Sequence, residues 1–201
     1  MELIIIRHAR PVRHDAAAGQ TADPELAEVG RHQAARTADF LVGEGVDHIV
    51  SSTMKRALQT AASLAVPLGL EVEALDDLRE GDHRSSVYVP AEEMDPADPA
   101  VAHYFEGDLE AAVFSDGYAE FAERVGRAFD QIIDNNRSKT VAVYCHGMVI
   151  GVYLKLVLGI DDVFALFVDY CGITRIRAGS SHRRTVRSVN ETHHVRDLLA
   201  R

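Results

Sequence analysis

The chain has 201 residues, 47% of them hydrophobic and 26% charged, with a formal net charge of −10. Its length and apolar content suit a single domain built on one sizeable core. The acid excess argues against nucleic-acid binding, which needs a basic footprint, and no apolar run approaches the roughly 20 residues that span a bilayer.

Leu3 to Ile6 is a continuous apolar run and reads as a strand buried on both faces. It lies too near the start, and is too short, for a signal-peptide core, so the expectation is a soluble cytoplasmic protein. Arg10 to Pro24 reads as a loop. Leu26 to Val42 is helical in pattern, with Ala34, Ala35, Ala38, Leu41 and Val42 on one face and Gly43 and Gly45 to end it. His48 to Ser51 is a second strand. Met54 to Val66 is a second helix, striped by Ala57, Leu58, Ala61, Leu64 and Ala65, with Ser52 or Thr53 as N-cap. Leu70 to Ala74 is a third strand.

From Gly81 to Gly117 the periodicity fails, and Pro90, Pro96 and Pro99 interrupt a stretch rich in acids. This is too long for an ordinary connection. It reads as an inserted cap, because Tyr88, Tyr104, Phe105 and Phe114 need burial. Tyr118 to Asn136 is an amphipathic helix carrying Phe121, Val125, Phe129, Ile132 and Ile133 on one side. Thr140 to Cys145 is a buried strand and Met148 to Leu158 an apolar helix. Ile173–Arg177 and Thr185–Val189 flank the turn Gly179-Ser180-Ser181 as a hairpin. Cys145 and Cys171 lack CxxC spacing and sit in apolar segments, as buried free thiols of a reducing compartment do.

Strands alternating with helices predict a three-layer α/β/α sandwich: a mostly parallel sheet, covered on both faces, with the cap inserted at about 81–117. Ligands of such sheets bind beyond the carboxyl ends of the strands. Arg7-His8 follows the first strand, Ser51-Ser52 the second and His146-Gly147 the Thr140–Cys145 strand, while Glu80 lies six residues beyond Ala74. One rim thus gathers two histidines and two arginines, counting Arg56 in the first turn of its helix. Guanidinium groups and helix N-termini suit a phosphoryl group.

The motifs Arg7-His8-Ala9, Ser51-Ser52-x-x-x-Arg56-Ala57-x-Gln59-Thr60-Ala61, Leu78-Arg79-Glu80 and His146-Gly147 occur in an order and spacing that resemble the histidine phosphatase superfamily, in its phosphoglycerate-mutase-like branch. Asn190-Glu191-Thr192-His193-His194 resembles a tail sequence of the same family. The resemblance implies a phosphohistidine formed on His8 and phosphate held by Arg7, Arg56, His146 and Gly147. It further implies Glu80 as general acid and then base, with no metal and no cofactor. Ala9 stands where the family has glycine, Arg10 where it has an acid or glutamine, and His14 where many members have asparagine. Arg10 and His14 are added to the expected phosphate ligands, and Asp82 is the alternative acid.

The expected activity is hydrolysis of a small phosphomonoester, because the Arg- and Trp-containing segments of true phosphoglycerate mutases are not evident; mutase transfer is the alternative. The expected protein partner, if any, is a second copy in a homodimer. The acids of the cap (Glu92, Glu93, Asp95, Asp98, Glu106, Asp108 and Glu110) are expected to disfavour highly anionic substrates, and its aromatics to favour an apolar leaving group. Two other classes stay open. One is a metal enzyme using His193-His194, which lacks HxH or HExxH spacing. The other is a non-catalytic phospho-ligand binder.

Overall fold

The computed structural model describes residues 1–105, 109–179 and 183–199. Its central sheet contains six strands: β1 (Glu2–Arg7), β3 (His48–Ser52), β4 (Val72–Leu75), β6 (Thr140–Cys145), β7 (Ile173–Ala178) and β8 (Arg184–Glu191). They lie in the order β4-β3-β6-β1-β7-β8. Neighbours among the first four run parallel; β7 is antiparallel to β1, and β8 to β7. Helices α1 (Glu28–Leu41) and α2 (Lys55–Leu68) cover one face, and α4 (Tyr118–Asn135) and α5 (Gly147–Leu158) the other. This is the expected three-layer sandwich.

The continuous apolar run of β1 has its explanation here. Side chains of a strand alternate between faces, so Leu3 and Ile5 enter the core with Val125, Phe129 and Ile150, while Ile4 and Ile6 enter the core with Ala38, Leu41 and Leu64. Both cores are fully dry at β1, where Leu3 to Ile6 have no exposed surface. The α4 stripe is buried as its spacing predicts. On α1 the buried positions are Gly30, Gln33, Ala34, Thr37, Ala38 and Leu41. Ala35 is exposed because it lies off that i, i+3, i+4 row, and Val42 because it is the C-cap, just past the last helical residue. Cys145 and Cys171 are free and buried. Among the described residues no helix is long and apolar enough to cross a membrane.

Three local expectations are corrected. Neither Ser52 nor Thr53 is the N-cap of α2. That position is Met54, and the helix start is satisfied from elsewhere: Asp23 accepts from the Lys55 N–H at 2.9 Å, and Ser52 Oγ from the Met54 N–H at 3.3 Å. Within 81–117, Phe114 is buried and Tyr88 and Tyr104 are partly covered, but Phe105 is 52% exposed. The third strand begins at Val72 rather than Leu70. The acids Glu106 and Asp108 and the turn residues Ser180 and Ser181 lie outside the described residues. The rest of the 81–117 segment holds 3-10 turns, the short helix α3 (Leu109–Val113) and strand β5 (Val87–Tyr88). β5 pairs with β2 (His14–Asp15) in the loop after β1.

Gly30 lets α1 approach that loop. A Cβ at Gly30 would lie 2.0 Å from the Arg10 carbonyl oxygen, which already accepts from the Ala27 N–H. Gly30→Ala must therefore displace backbone and is expected to destabilise the fold by about 1–3 kcal/mol. An unchanged urea midpoint for this variant would show that the loop yields freely.

Candidate active site

His8 follows β1 at its carboxyl end and is 2% exposed. Its backbone N–H donates to the Cys145 carbonyl at 2.9 Å, continuing the β1–β6 ladder one residue past the strand. Its two ring nitrogens meet opposite chemistry. Nδ1 lies 2.8 Å from the Ala9 carbonyl oxygen, an acceptor only, and Arg56 Nε donates to Nε2 at 3.2 Å. A guanidinium has donors alone, so the pair sets one tautomer: hydrogen on Nδ1, lone pair on Nε2. Burial, then the charges of Arg56 and Arg7, hold the His8 pKa well below its ordinary value. The ring is neutral at pH 7 with its Nε2 lone pair held among positive charges.

Arg7, Arg56 and His146 surround it. Arg7 ends β1, donates from Nη1 to the Val168 carbonyl at 2.7 Å and lies 4.0 Å above the Tyr170 ring. Arg56 comes from the first turn of α2, has no exposed surface and sits 4.7 Å from the Tyr88 ring. The His146 ring lies 5.0 Å from that of His8, and its Nε2 is 2.8 Å from Ser52 Oγ. Arg7 Nε, both Arg56 Nη atoms and His146 Nδ1 are buried with no hydrogen-bond partner among the described residues. Buried polar nitrogens are rarely left so, and these belong to the three side chains that surround His8.

Glu80 reaches this volume from the segment after β4. Its Oε1 accepts from the Gly81 N–H at 3.0 Å and its Oε2 from the Met148 N–H at 3.1 Å. The N-terminal amide of α5 therefore grips the carboxylate. Desolvation and the neighbouring Asp82 nonetheless raise the Glu80 pKa, outweighing these two bonds and the charge of Arg56. Asp82 lies 3.9 Å from Arg56, and burial raises its pKa as well. A Cβ at Gly147 would lie 3.7 Å from Arg7 Nε and 3.9 Å from Glu80 Oε2, so glycine keeps that space clear. These groups floor a cavity of about 460 Å³ lined by Arg7, His8, Arg56, Glu80, Asp82 and Gly147.

Two expected phosphate ligands stand apart. Arg10 Nη2 is bound to Glu93 at 2.7 Å, and neither residue lines the cavity. His14 lies in β2, opposite Tyr88, and opens on a separate depression beside Asp23 and Lys55. Arg13 is likewise paired, with Asp98 at 2.6 Å. His193 and His194 pack on Phe40, one edge-on and one stacked, and His194 Nε2 lies 3.2 Å from Thr37 Oγ1. Ala9 is fully buried beside Leu26, Ala34 and Cys171, and its N–H donates to Thr60 Oγ1.

Tyr88, Tyr170 and Val168 were not foreseen. Because β7 runs antiparallel, the residues before it, not after it, reach the rim. An aromatic just ahead of Ile173 is the signal that points to Tyr170. Asn190 of the tail holds this segment in place. Its side chain accepts from the Asp169 N–H at 2.9 Å and donates to the Asp169 carboxylate at 2.7 Å.

Comparison with known proteins shows the family and the fold. The family profile of the histidine phosphatase superfamily (branch 1) matches residues 3–192. The chain is 31% identical over 155 residues to phosphoglycerate mutase-like protein 4 of Arabidopsis thaliana, an alignment covering 74% of this chain and 67% of that protein. It is 29% identical over 174 residues to bifunctional protein Rv2228c of Mycobacterium tuberculosis, covering 85% of this chain but only 48% of that protein. Phosphoserine phosphatase from Entamoeba histolytica, solved with 3-phosphoglyceric acid, superposes with a TM-score of 0.74. Its identity is 23%, covering 96% of this chain and 98% of that one, and it shows the shared fold.

The histidine pKa shifts predict acid sensitivity. Unfolded, His8 and His146 each bind a proton below about pH 6.5. Folded, both have pKa values well below that, through burial and then the charge of Arg56. The unfolded state therefore holds more protons in that window, and stability present above pH 6.5 is lost as pH falls, by up to about 1.4 kcal/mol per pH unit per histidine. Glu80 and Asp82, with raised values, act in the opposite sense, so the comparison isolates His8. In urea titrations, His8→Asn should reduce the loss between pH 6.5 and 5; identical pH slopes would contradict a neutral, buried His8.

Proposed function

The chain belongs to the histidine phosphatase superfamily, and from that premise we propose that it hydrolyses phosphomonoesters through a phosphohistidine on His8, without a metal ion. The observation that carries this reading is the set of four buried donor atoms without acceptors around a neutral imidazole. A phosphoryl group offers three acceptor oxygens and negative charge, which such donors stabilise in a low-dielectric site.

His8 Nε2 attacks phosphorus in line, forming the N–P bond as the P–O ester bond breaks. The imidazole gains positive charge, and the Ala9 carbonyl beside Nδ1–H accommodates it. Arg7, Arg56 and His146 balance the charge on the non-bridging oxygens. His146 donates from Nδ1 when the Ser52 hydroxyl donates to its Nε2. Protonated Glu80 gives its proton to the departing alkoxide. Water then attacks phosphorus, Glu80 takes the water's proton, the N–P bond breaks, and phosphate leaves with His8 and Glu80 restored. The raised Glu80 pKa suits this double role, because it favours the protonated form that the first step needs.

His8→Ala should abolish turnover of p-nitrophenyl phosphate and the acid-labile phosphoenzyme. A chelator should leave the wild-type rate unchanged. Equal rates for wild type and His8→Ala would refute the nucleophile. Glu80→Gln should slow alkyl phosphates by about 10²–10⁴-fold, yet affect p-nitrophenyl phosphate far less, since a good leaving group needs little proton transfer. Equal losses on both would move the acid role to Asp82.

A further inference from the structure

Beyond the phosphoryl floor, the same cavity changes character. Its walls are Val89, Met94, Phe105, Leu109, Phe164 and Phe167, joined by other apolar side chains. Its volume of about 460 Å³ falls in the range of roughly 300–1,000 Å³ typical of sites for whole organic ligands. Most of that space must receive the alcohol half of an ester.

Charge limits what this half carries. Among the described residues that line the cavity, the cations are Arg7 and Arg56, both facing the phosphoryl volume, and the other charged groups are the carboxyls Glu80 and Asp82. Arg10 and Arg13, the extra cations of the loop after β1, are bound to Glu93 and Asp98 outside it, and Arg124 donates to the Asp77 and Arg79 carbonyls and does not line it. A carboxylate or second phosphate on the substrate would lose water against apolar walls without a partner, which is strongly unfavourable.

The rim adds a positive requirement. Phe167 is 65% exposed, Phe105 52%, Leu109 39% and Met94 37%. Large apolar side chains clustered around one opening mark a surface that a ligand covers, and this patch is continuous with the catalytic floor. We infer that the substrate is a phosphomonoester of an apolar alcohol, aryl or long-chain alkyl, with no second anionic group. This inference rests on the hydrolase reading for its chemistry, and on the cavity walls for its specificity.

The test is an n-alkyl phosphate series (ethyl, butyl, hexyl, octyl) below the micelle threshold, beside 3-phosphoglycerate and phosphoserine. The alkyl alcohols leave about equally well, so differences in kcat/KM report burial of the chain. Expected is a rise of about two- to fourfold per methylene, the upper value being that of full burial, with both carboxylate substrates near or below ethyl phosphate. Phe105→Ser, at an exposed position, should lower the octyl-to-ethyl ratio. A flat series, or best turnover of 3-phosphoglycerate, overturns the inference and leaves the hydrolase reading standing.

Calorimetric binding of octyl- and ethylphosphonate separates the two claims. If no ester is turned over, the hydrolase reading fails, but tighter binding of octylphosphonate still supports the apolar pocket, and equal binding still overturns it. If Phe105→Ser changes the mass in solution without changing the octyl-to-ethyl ratio, the rim serves another protein surface and the inference fails.

Discussion

Arg7 and Arg56 bring two permanent positive charges into a fold that offers them little in return. A buried guanidinium without acceptors is strongly unfavourable, and much of the surrounding structure reads as its support. The Val168 carbonyl takes one Arg7 donor, and Tyr170 and Tyr88 lay their rings beside the two guanidiniums. Asp82 stands at 3.9 Å, too far for a direct hydrogen bond. These supports are deliberately incomplete: they fix the arginines in space while leaving Arg7 Nε and both Arg56 Nη atoms to a ligand. Fixed, unsatisfied donors are what phosphoryl transfer requires, since its catalysis is chiefly positioning and charge stabilisation.

The same burial drives the two proton-bearing roles in opposite directions. Desolvation disfavours whichever form is charged. It therefore keeps His8 unprotonated, fit to be a nucleophile, and favours a proton on Glu80, fit to be an acid. The arginines reinforce the first effect and oppose the second. Two backbone bonds further temper the Glu80 shift by favouring the carboxylate. The net direction for Glu80 is still upward, toward the protonated form. The α5 amide that holds it, that of Met148, comes two residues after His146, so Glu80 and His146 are positioned by one strand-to-helix turn.

Periodicity exposed the frame of the molecule: β1, β6 and α4 have patterns imposed by burial on the element itself. The strand-end rule then gathered His8, Arg56 and His146, because parallel strands deliver their following residues to one edge. What stayed hidden depends on distant chain segments. Asp23 caps α2 from a loop 32 residues earlier, and Tyr170 reaches the rim because β7 runs the other way. The fates of Arg10 and Arg13 turn on acids more than 80 residues away. Arg10 reads as a phosphate ligand until the fold supplies Glu93 as its anion.

Those two ion pairs reassign the charge of the 81–117 segment. Glu93 and Asp98 do not line the cavity; they are bound to the loop after β1, so these two acids fasten the segment. Each pair is partly exposed, with Arg10 24% and Arg13 38% accessible, and solvent screening leaves such pairs little stabilising effect. The firmer attachment is backbone. β2 and β5 pair across His14–Tyr88 and Asp15–Val87, and the Ala16 and Ala22 N–H groups donate to the Ser86 and Ser85 carbonyls. These bonds run directly from the loop of the nucleophile to the strand that carries Tyr88, the ring beneath Arg56. The segment walling the apolar cavity and the segment presenting His8 are therefore one hydrogen-bonded unit. The surroundings of His8 and the shape of the cavity above it are set together.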